Sequence, residues 1–578
     1  MSTVAEVIVT ALADLGVTSV WGVVGDALNP VTDAIRQEER LRWIGVRHEE
    51  VGAFAASAQA QVSGTLGVCM GTVGPGSIHL LNGLYDAAKS HAPVLAICGQ
   101  VPLAEMASQY FQEVGNDLLF ADVATFRATV SSSAQMPRIL EQAVNAAYAA
   151  PGVSVLSLPG DVGDLDVADG ERSLRFVTTR PTLVPADELV AEAVRLIDDA
   201  GTVTILAGRG AISERDALLA LADRVAAPMV LTLKAKEGLE HDNPFEVGQS
   251  GLIGNPASKV AFDGADVLLM LGTDFPYPEW LPADATTIQV DRDGAHIGRR
   301  TPVDLGIVAD VGPALAALLG SVRAKADRSH LDRSRDRYDS WTAEQQALVG
   351  GEGGSRVGQV LAKVRSVVEN RSDAIRPELV AAVIDQLAGD DAVFTSDTGM
   401  STVWLSRFVR LRGTRRLVGS YNLGSMANAM PHALGVQALD RSREVVAFCG
   451  DGGLTMLLGD LLTAVSEGLP VRIVVFDNGR LGMVKLEQEQ VGLPEFGTEL
   501  ANPDLAAVAR AMGLSAWRVT DADELESTMR EAFATDGPVL VDVVTNPNEV
   551  ALPPAASVHQ AWGFAIAKVK ETVVSRTD

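Results

Sequence analysis

The chain has 578 residues, 47% of them hydrophobic, and its 74 acidic against 47 basic side chains leave a net charge of −27. That length gives room for three or four ordinary domains with substantial cores. The acidity argues against nucleic acid or an anionic membrane as the main partner, since both attract basic surfaces.

From the N-terminus, Met1-Ser2-Thr3 leads into an amphipathic helix without the basic and then apolar character of a signal peptide. No apolar run approaches the roughly 18 residues of a membrane span. The expected place is the cytoplasm, with any membrane contact no more than peripheral at the inner face of the cell membrane. Cys69, Cys98 and Cys449 lie in apolar or strand-like stretches with no metal-ligand spacing, which reads as buried, reduced thiols.

Short β-rich runs alternate with alanine-rich segments of helical period throughout, the pattern of an α/β protein with doubly wound parallel sheets. A first block, residues 1–180, has predicted strands at 94–98 and 153–158 and a helix of small residues over 51–62. It gives way to the polar stretch 161–182. A second block, 183–335, has predicted strands at 203–207, 229–233, 267–271 and 287–291 and closes in the charged segment 323–337. Residues 336–375 read as linker or insertion, with Gly350-Gly351-Glu352-Gly353-Gly354 as a flexible run. The third block, 376–545, has predicted strands at 392–397, 444–450, 471–476 and 538–545, and 546–578 forms a C-terminal tail. In that tail, residues 565–574 carry Lys568 and Lys570 with few apolar neighbours, too little for an interfacial helix.

The third block carries the most informative spacing. One buried strand runs into Gly450-Asp451-Gly452, and the next delivers Asn478 at its tip. Ligands of open α/β sheets sit beyond the carboxyl ends of strands, near helix N-termini, so both segments aim oxygens at one place. Magnesium takes about six hard oxygens and is usually completed by phosphate and water. Asp451, the Asn478 amide oxygen and the backbone carbonyl of Arg480 suit that role beside a diphosphate, as in thiamine diphosphate.

Gly450-Asp451-Gly452 through Asn478 resembles the cofactor signature of the thiamine diphosphate enzymes. The likeness extends over almost the whole chain to the pyruvate oxidase and pyruvate:quinone oxidoreductase branch. It is carried by Trp21 to Asp26 with Leu28-Asn29, Arg47-His48-Glu49-Glu50, Gly74-Pro75-Gly76, Tyr110 to Glu113, Thr273 to Tyr277 and Gly424 to Pro431. The resemblance implies a pyrimidine-binding first domain, an FAD-binding central domain and a diphosphate- and magnesium-binding third domain. It makes Glu49 the acid beside the pyrimidine ring and leaves Glu50 a structural role. Gly424, Ser425 and Met426 match the carbonyl donor to the aminopyrimidine and the apolar wedge that bends the coenzyme; on residues alone Met426 reads as core of an alanine-rich helix. Gly452 and Gly453, with Asn478, Gly479, Arg480, Leu481, Gly482, Met483 and Val484, are expected around the diphosphate. Phe111, Gln112 and Glu487 match positions facing the substrate. His48, His79 and His91 lie near these segments and read equally well as hydrogen-bonded core.

In the central block, Gly208-Arg209-Gly210 is a weak phosphate-loop signal. Ser250-Gly251-Leu252-Ile253, Thr273-Asp274-Phe275-Pro276-Tyr277 and Asp291 resemble the flavin-binding segments of the oxidase branch, so FAD is expected. The activity the resemblance implies is oxidative decarboxylation of pyruvate, or a similar small 2-oxo acid, to acetate and carbon dioxide by way of hydroxyethyl-thiamine diphosphate. Electrons would pass through FAD to a quinone or another acceptor. Met483 stands where some relatives carry an aromatic residue near the path between cofactors. An oxygen- and phosphate-dependent oxidase, an acetolactate synthase-type carboligase and, from a different class, a non-catalytic nucleotide-binding scaffold remain as alternatives. A homodimer or homotetramer is implied, because family sites lie between one subunit's N-terminal and another's C-terminal domain.

Overall fold

The computed structural model describes residues 2–167, 174–349 and 374–548. The glycine run at 350–354 and the 565–574 segment of the tail lie outside the described residues.

Three six-stranded parallel sheets follow one another along the chain. The first is built from β1 (Ser19–Gly22), β2 (Arg42–Gly45), β3 (Gly67–Gly71), β4 (Val94–Gln100), β5 (Ala124–Thr129) and β6 (Val153–Pro159). The central sheet has β7 (Val203–Ala207), β8 (Met229–Leu231), β9 (Glu246–Gln249), β10 (Val267–Leu271), β11 (Thr286–Asp291) and β12 (Leu305–Val308). The third has β13 (Val393–Ser396), β14 (Arg416–Gly419), β15 (Val445–Gly450), β16 (Arg472–Asp477), β17 (Ser515–Val519) and β18 (Val539–Val544). Helices cover both faces, which is why central strands such as β4 are buried at every residue and read as unbroken apolar runs.

Strand order explains the division of labour. The first and third sheets share one topology, β2-β1-β3-β4-β6-β5 and β14-β13-β15-β16-β18-β17. The central sheet runs β12-β11-β10-β7-β8-β9, which, counted from its own first strand and read in reverse, is the 3-2-1-4-5-6 order of dinucleotide-binding sheets. Each sheet therefore has a point where the winding reverses, between β1 and β3, β7 and β10, and β13 and β15, and Asp451, at the end of β15, and Thr273, just past β10, sit beside two of them.

The first and third domains share one apolar core, running from Trp21 and Val51 through Ala433 and Val436 to Val475. At its centre the helix Glu49–Ser63 crosses the helix Ala429–Leu439 so closely that a β-carbon on Gly435 would overlap the Ala55 carbonyl. The buried pair His432 Nε2 and Asp86 Oδ2, 3.0 Å apart, lies in the same interface, with Ser57 Oγ donating to Asp86 at 2.7 Å.

Two expectations need correction. The linker expected from 336 begins inside a helix, Ser329–Val349. Its charged composition suggested a surface segment, but His330, Leu331, Ser334 and Tyr338 fall on one face and are buried, and the Tyr338 hydroxyl donates to Glu246 Oε1 at 3.0 Å. The strand predicted at 229–233 stops at Leu231, because Thr232 Oγ1 accepts from the Ala235 N–H and caps the helix Leu233–Leu239. No helix among the described residues is long and apolar enough to cross a membrane.

Candidate active site

At the reversal point of the third sheet, Asp451 is the first residue of the helix Asp451–Met456 and is buried. Its Oδ2 accepts from the Gly479 N–H at 2.9 Å and from Asn502 Nδ2 at 2.6 Å, and Asn502 also donates to Asp477 Oδ1 at 2.8 Å. Burial, reinforced by the neighbouring charge of Asp477 and opposed by the Asn502 hydrogen bond, pushes the Asp451 carboxyl up to about 7. A cation would reverse that cost by favouring the ionised form. Asn478 stands one residue past β16, its Oδ1 accepting from the Arg480 N–H at 2.9 Å. The two strand tips thus converge, as their spacing predicts.

The loop after Asn478 is tied down on its far side. Leu481 N–H donates to Thr498 O and Leu500 N–H to Gly479 O, both at 2.8 Å, while the Arg480 guanidinium pairs with Glu495 and Glu499. The Arg480 carbonyl accepts from Gly482 N–H at 3.0 Å, and Gly482 opens the helix Gly482–Gln490 that carries Met483, Val484 and Glu487. Val484 and Glu487 are exposed.

Opposite, the turn before the helix Ala429–Leu439 places Gly424 at φ +82°, its N–H donating to Ser420 O at 2.6 Å. Met426 stands in this turn and not in the helix, correcting the core reading. It is half-buried, with its methyl against Gly452, where a side chain would also strike Leu481 and Leu500. A β-carbon on Gly424 or Gly450 would meet nothing within 4 Å, and one on Gly479 would meet only the Leu500 carbonyl at 3.7 Å, an ordinary contact. Three bare stretches of backbone therefore border the oxygens of Asp451 and Asn478, a cradle whose donor set and shape fit a magnesium diphosphate. Asp397, just past β13, holds the cradle from behind. Its carboxylate accepts from the Gly450 and Ala429 N–H groups at 3.1 and 2.9 Å, and burial pushes it to about 6.

In the first domain Glu49 begins the helix Glu49–Ser63 behind the N-cap His48 and is buried. Its Oε2 lies 2.9 Å from His79 Nδ1, and His48 stacks on that imidazole at 4.4 Å. The donor atoms of His48, Glu49 and His79 all lie within 4.8 Å of one another, a set that would also accept a transition metal. Glu50 Oε1 accepts from Asn82 Nδ2, and the same amide donates to Ser425 Oγ, at 2.7 and 2.9 Å. One side chain thus joins the acid helix of the first domain to the Gly424–Met426 turn of the third. Phe111 is exposed, the half-buried Gln112 at φ +65° lies over Gly74, and Gly76 of the same turn approaches Glu49 Oε1.

In the central domain the turns Gly208–Gly210 and Gly272 touch backbone to backbone, leaving no room for a β-carbon on any of the three. Thr273 is buried, Asp274 pairs with Arg299 and Arg300 at 3.1 Å, and Pro276 is exposed. Phe275 and Tyr277 meet edge to face over Gly251, which has φ +83°. Ser250 is buried and Leu252 exposed, whereas Ile253, like Met483, packs against the core of the third domain. Asp291 ends β11, its carboxyl raised by burial and held by the Asp293 N–H at 2.9 Å. The Tyr277 hydroxyl is raised by burial and by the charges of Glu279 and, from the third domain, Glu487.

Sequence reasoning missed Asp397, Asn502, Asn82 and the partnership of His79 with Glu49. Only Asp397 carried a local signal, an acid at the end of a predicted strand.

Comparison with known proteins agrees with this geometry. Residues 2–119 match the model of the N-terminal TPP binding domain of thiamine pyrophosphate enzymes, 190–318 the central domain and 397–543 the C-terminal TPP binding domain. A putative thiamine pyrophosphate-containing protein, YdaP, of Bacillus subtilis is 36% identical over 97% of this chain and 95% of its own. The pyruvate oxidase of Lactiplantibacillus plantarum is 30% identical over 93% and 87%, and an acetolactate synthase of Mycobacterium bovis is 30% identical over 96% and 90%. The chain belongs to the thiamine pyrophosphate enzymes.

Proposed function

We propose that this protein oxidises pyruvate, with water and a quinone, to acetate, carbon dioxide and the quinol, using thiamine diphosphate, magnesium and FAD. The observation that carries the reading is that segments expected to hold FAD meet the domain of the Asp451–Asn478 cradle: Ile253 packs, like Met483, on the core of the third domain, and the charge of Glu487 acts on the Tyr277 hydroxyl. The pyruvate oxidase relative supports the same choice.

When bound, thiamine diphosphate would supply the sink for the electron pair left behind as carbon dioxide departs, and FAD would accept an electron pair. The protein's part is to bind and orient. Asp451, the Asn478 amide oxygen and the Arg480 carbonyl would hold the magnesium ion, with the 479–484 loop over the diphosphate. The Gly424 carbonyl and Met426 would shape the site for the pyrimidine ring, and Glu49, steadied by His79, would hold or release a proton there. Phe111, Gln112 and Glu487 would confine pyruvate. The buried Asp291 and the Thr273–Tyr277 and Ser250–Ile253 segments would hold FAD, with an acid at a strand end suited to ribityl or ribose hydroxyls. A homodimer or homotetramer working in the cytoplasm completes the proposal.

Anaerobic mixing of the purified holoprotein with pyruvate, followed through the visible absorbance of the flavin, tests it. Rapid bleaching is expected. Lasting yellow colour while pyruvate disappears would overturn oxidation in favour of ligation, the activity named by the acetolactate synthase relatives, or of plain decarboxylation.

A further inference from the structure

Where the C-terminal end of the helix Glu49–Ser63, the helix Leu233–Leu239 and the edge strand β14 meet, all three domains surround a cavity of about 20 Å³, lined among others by Gln61, Arg209, Lys234, Glu237, Arg416 and Gly419. That is room for one water-sized occupant. We infer that Arg209, Lys234 and the Gly419 amide form a binding site here for a small inorganic anion, separate from the reaction proposed above.

The donors at this junction outnumber the acceptors. Arg209 gives its guanidinium to two carbonyl oxygens of the first domain, Ser90 O at 2.8 Å and Gln61 O at 3.5 Å, and Lys234 Nζ lies 3.2 Å from Ser90 Oγ. Neither cation has a carboxylate within salt-bridge distance among the described residues. The acids nearby are engaged elsewhere. Glu237 pairs with Arg416 Nε at 2.6 Å and accepts from the Leu417 N–H at 2.8 Å, and Asp86 is held by His432 and Ser57. The Tyr421 hydroxyl is engaged with Ser396 Oγ at 2.9 Å.

The strand edge adds a further donor. The Arg416 N–H bonds to Ala392 O, on the β13 side, and the Leu417 N–H faces Glu237 on the other. Amides alternate along a strand, so the Gly419 N–H points to the open side with Leu417's. Two titratable groups register the positive field. Desolvation and the Arg209 charge lower Lys234 to about 8, and His91 next to it is lowered to about 4 by desolvation and by Lys234, His296 and Arg209. Cations crowded without counter-charge are costly, and one anion relieves the cost for both Arg209 and Lys234. Arg209 reaches toward the first domain and not toward the Thr273–Tyr277 and Ser250–Ile253 segments proposed for FAD, since its guanidinium bonds go to Ser90 O and Gln61 O, and the cavity is too small for a nucleotide phosphate with its substituents.

Crystals of the full-length protein soaked in sodium bromide and measured across the bromine edge test the assignment. An anomalous peak within hydrogen-bonding reach of Lys234 Nζ and the Gly419 amide is expected. Water alone at that place, or a phosphate of bound flavin nucleotide, would overturn it. In solution, replacing gluconate by chloride at constant ionic strength should raise the thermal midpoint, and Lys234→Gln should shift the half-saturating chloride concentration at least threefold upward. An unchanged chloride response in that variant sinks the inference; if the variant does not fold, the bromide map of the unaltered protein decides.

Discussion

His79 Nδ1 lies 2.9 Å from Glu49 Oε2, making the imidazole a partner of an acid buried at the start of a helix. Leaving a buried polar group without its partner costs about 1–3 kcal/mol. His79→Ala is therefore expected to lower the stability of the coenzyme-free protein by that amount. The Glu49→Gln/His79→Ala double variant should recover part of it, because a neutral amide is cheaper to bury alone. Urea unfolding of the four proteins in this cycle measures the coupling, and purely additive losses would show that the two side chains do not act as a pair.

The same acid has a separate kinetic signature. Glu49→Gln keeps the shape of the side chain but removes the proton-transfer group, which commonly costs ~10²–10⁴-fold in turnover. Flavin content, read from the visible spectrum, should be unchanged, since the central sheet does not touch Glu49. Near-normal turnover would reject the role proposed for this residue.

Asp451→Ala removes both the proposed cation ligand and the acceptor for the Gly479 and Asn502 hydrogen bonds. Magnesium-dependent binding of thiamine diphosphate, followed by calorimetry, should be lost. Asn502→Ala leaves the carboxylate in place and should weaken binding less. If both variants bind the coenzyme as the unaltered protein does, the cation sits elsewhere.

The sequence pattern and the fold contributed different parts of this site. The ends of β15 and β16 were legible because both strands are buried runs long enough to read as strands, so their tips fix Asp451 and Asn478. Edge strands β2 and β14, with sequences RWIG and RLVG, are too short and too mixed to stand out, and docking against neighbours decides them. The kinship of the first and third sheets lies in strand order, which no local pattern records. Asn82 and Ser425 are 343 residues apart in the chain, and Asn502 and Asp451 are 51 apart. Such contacts appear only once the domains are packed. The helix Ser329–Val349 was hidden by charge, since its buried Tyr338 pays off only against Glu246 and Arg410 of other elements.

That last cluster predicts a pH dependence. Burial, and then the charge of Glu240, raise Glu246 from its ordinary 4.5 to about 7, against the opposing effects of Arg410, Lys236 and the Tyr338 hydroxyl. Below pH 4.5 the carboxyl is neutral in the folded and unfolded chain alike, and its burial is least costly. As pH rises toward 7 the unfolded chain ionises first, so this contribution to stability is lost, by at most roughly 3 kcal/mol. Relative to Glu246→Gln, the unaltered protein should therefore lose thermal stability between pH 5 and pH 8. Parallel melting curves for the two proteins across that range would show that Glu246 ionises normally.

The crossing of the two cofactor-domain helices is a tight joint that bears on the site. A β-carbon on Gly435 would overlap a backbone carbonyl, that of Ala55, and not the tip of a flexible side chain. Both helices are buried along nearly their whole length, so neither has room to retreat. Overpacking of this kind typically costs 1–3 kcal/mol. Gly435→Ala should therefore lower the thermal midpoint and, by moving the Glu49 end of one helix relative to the Gly424–Met426 turn before the other, weaken thiamine diphosphate binding. FAD content should be retained, because Asp291 and the Thr273–Tyr277 segment proposed to hold it lie in the central domain, apart from that helix pair. Loss of both cofactors together would point to general unfolding, whereas unchanged coenzyme affinity and melting would show that the crossing yields to a methyl group and does not set the distance across the site.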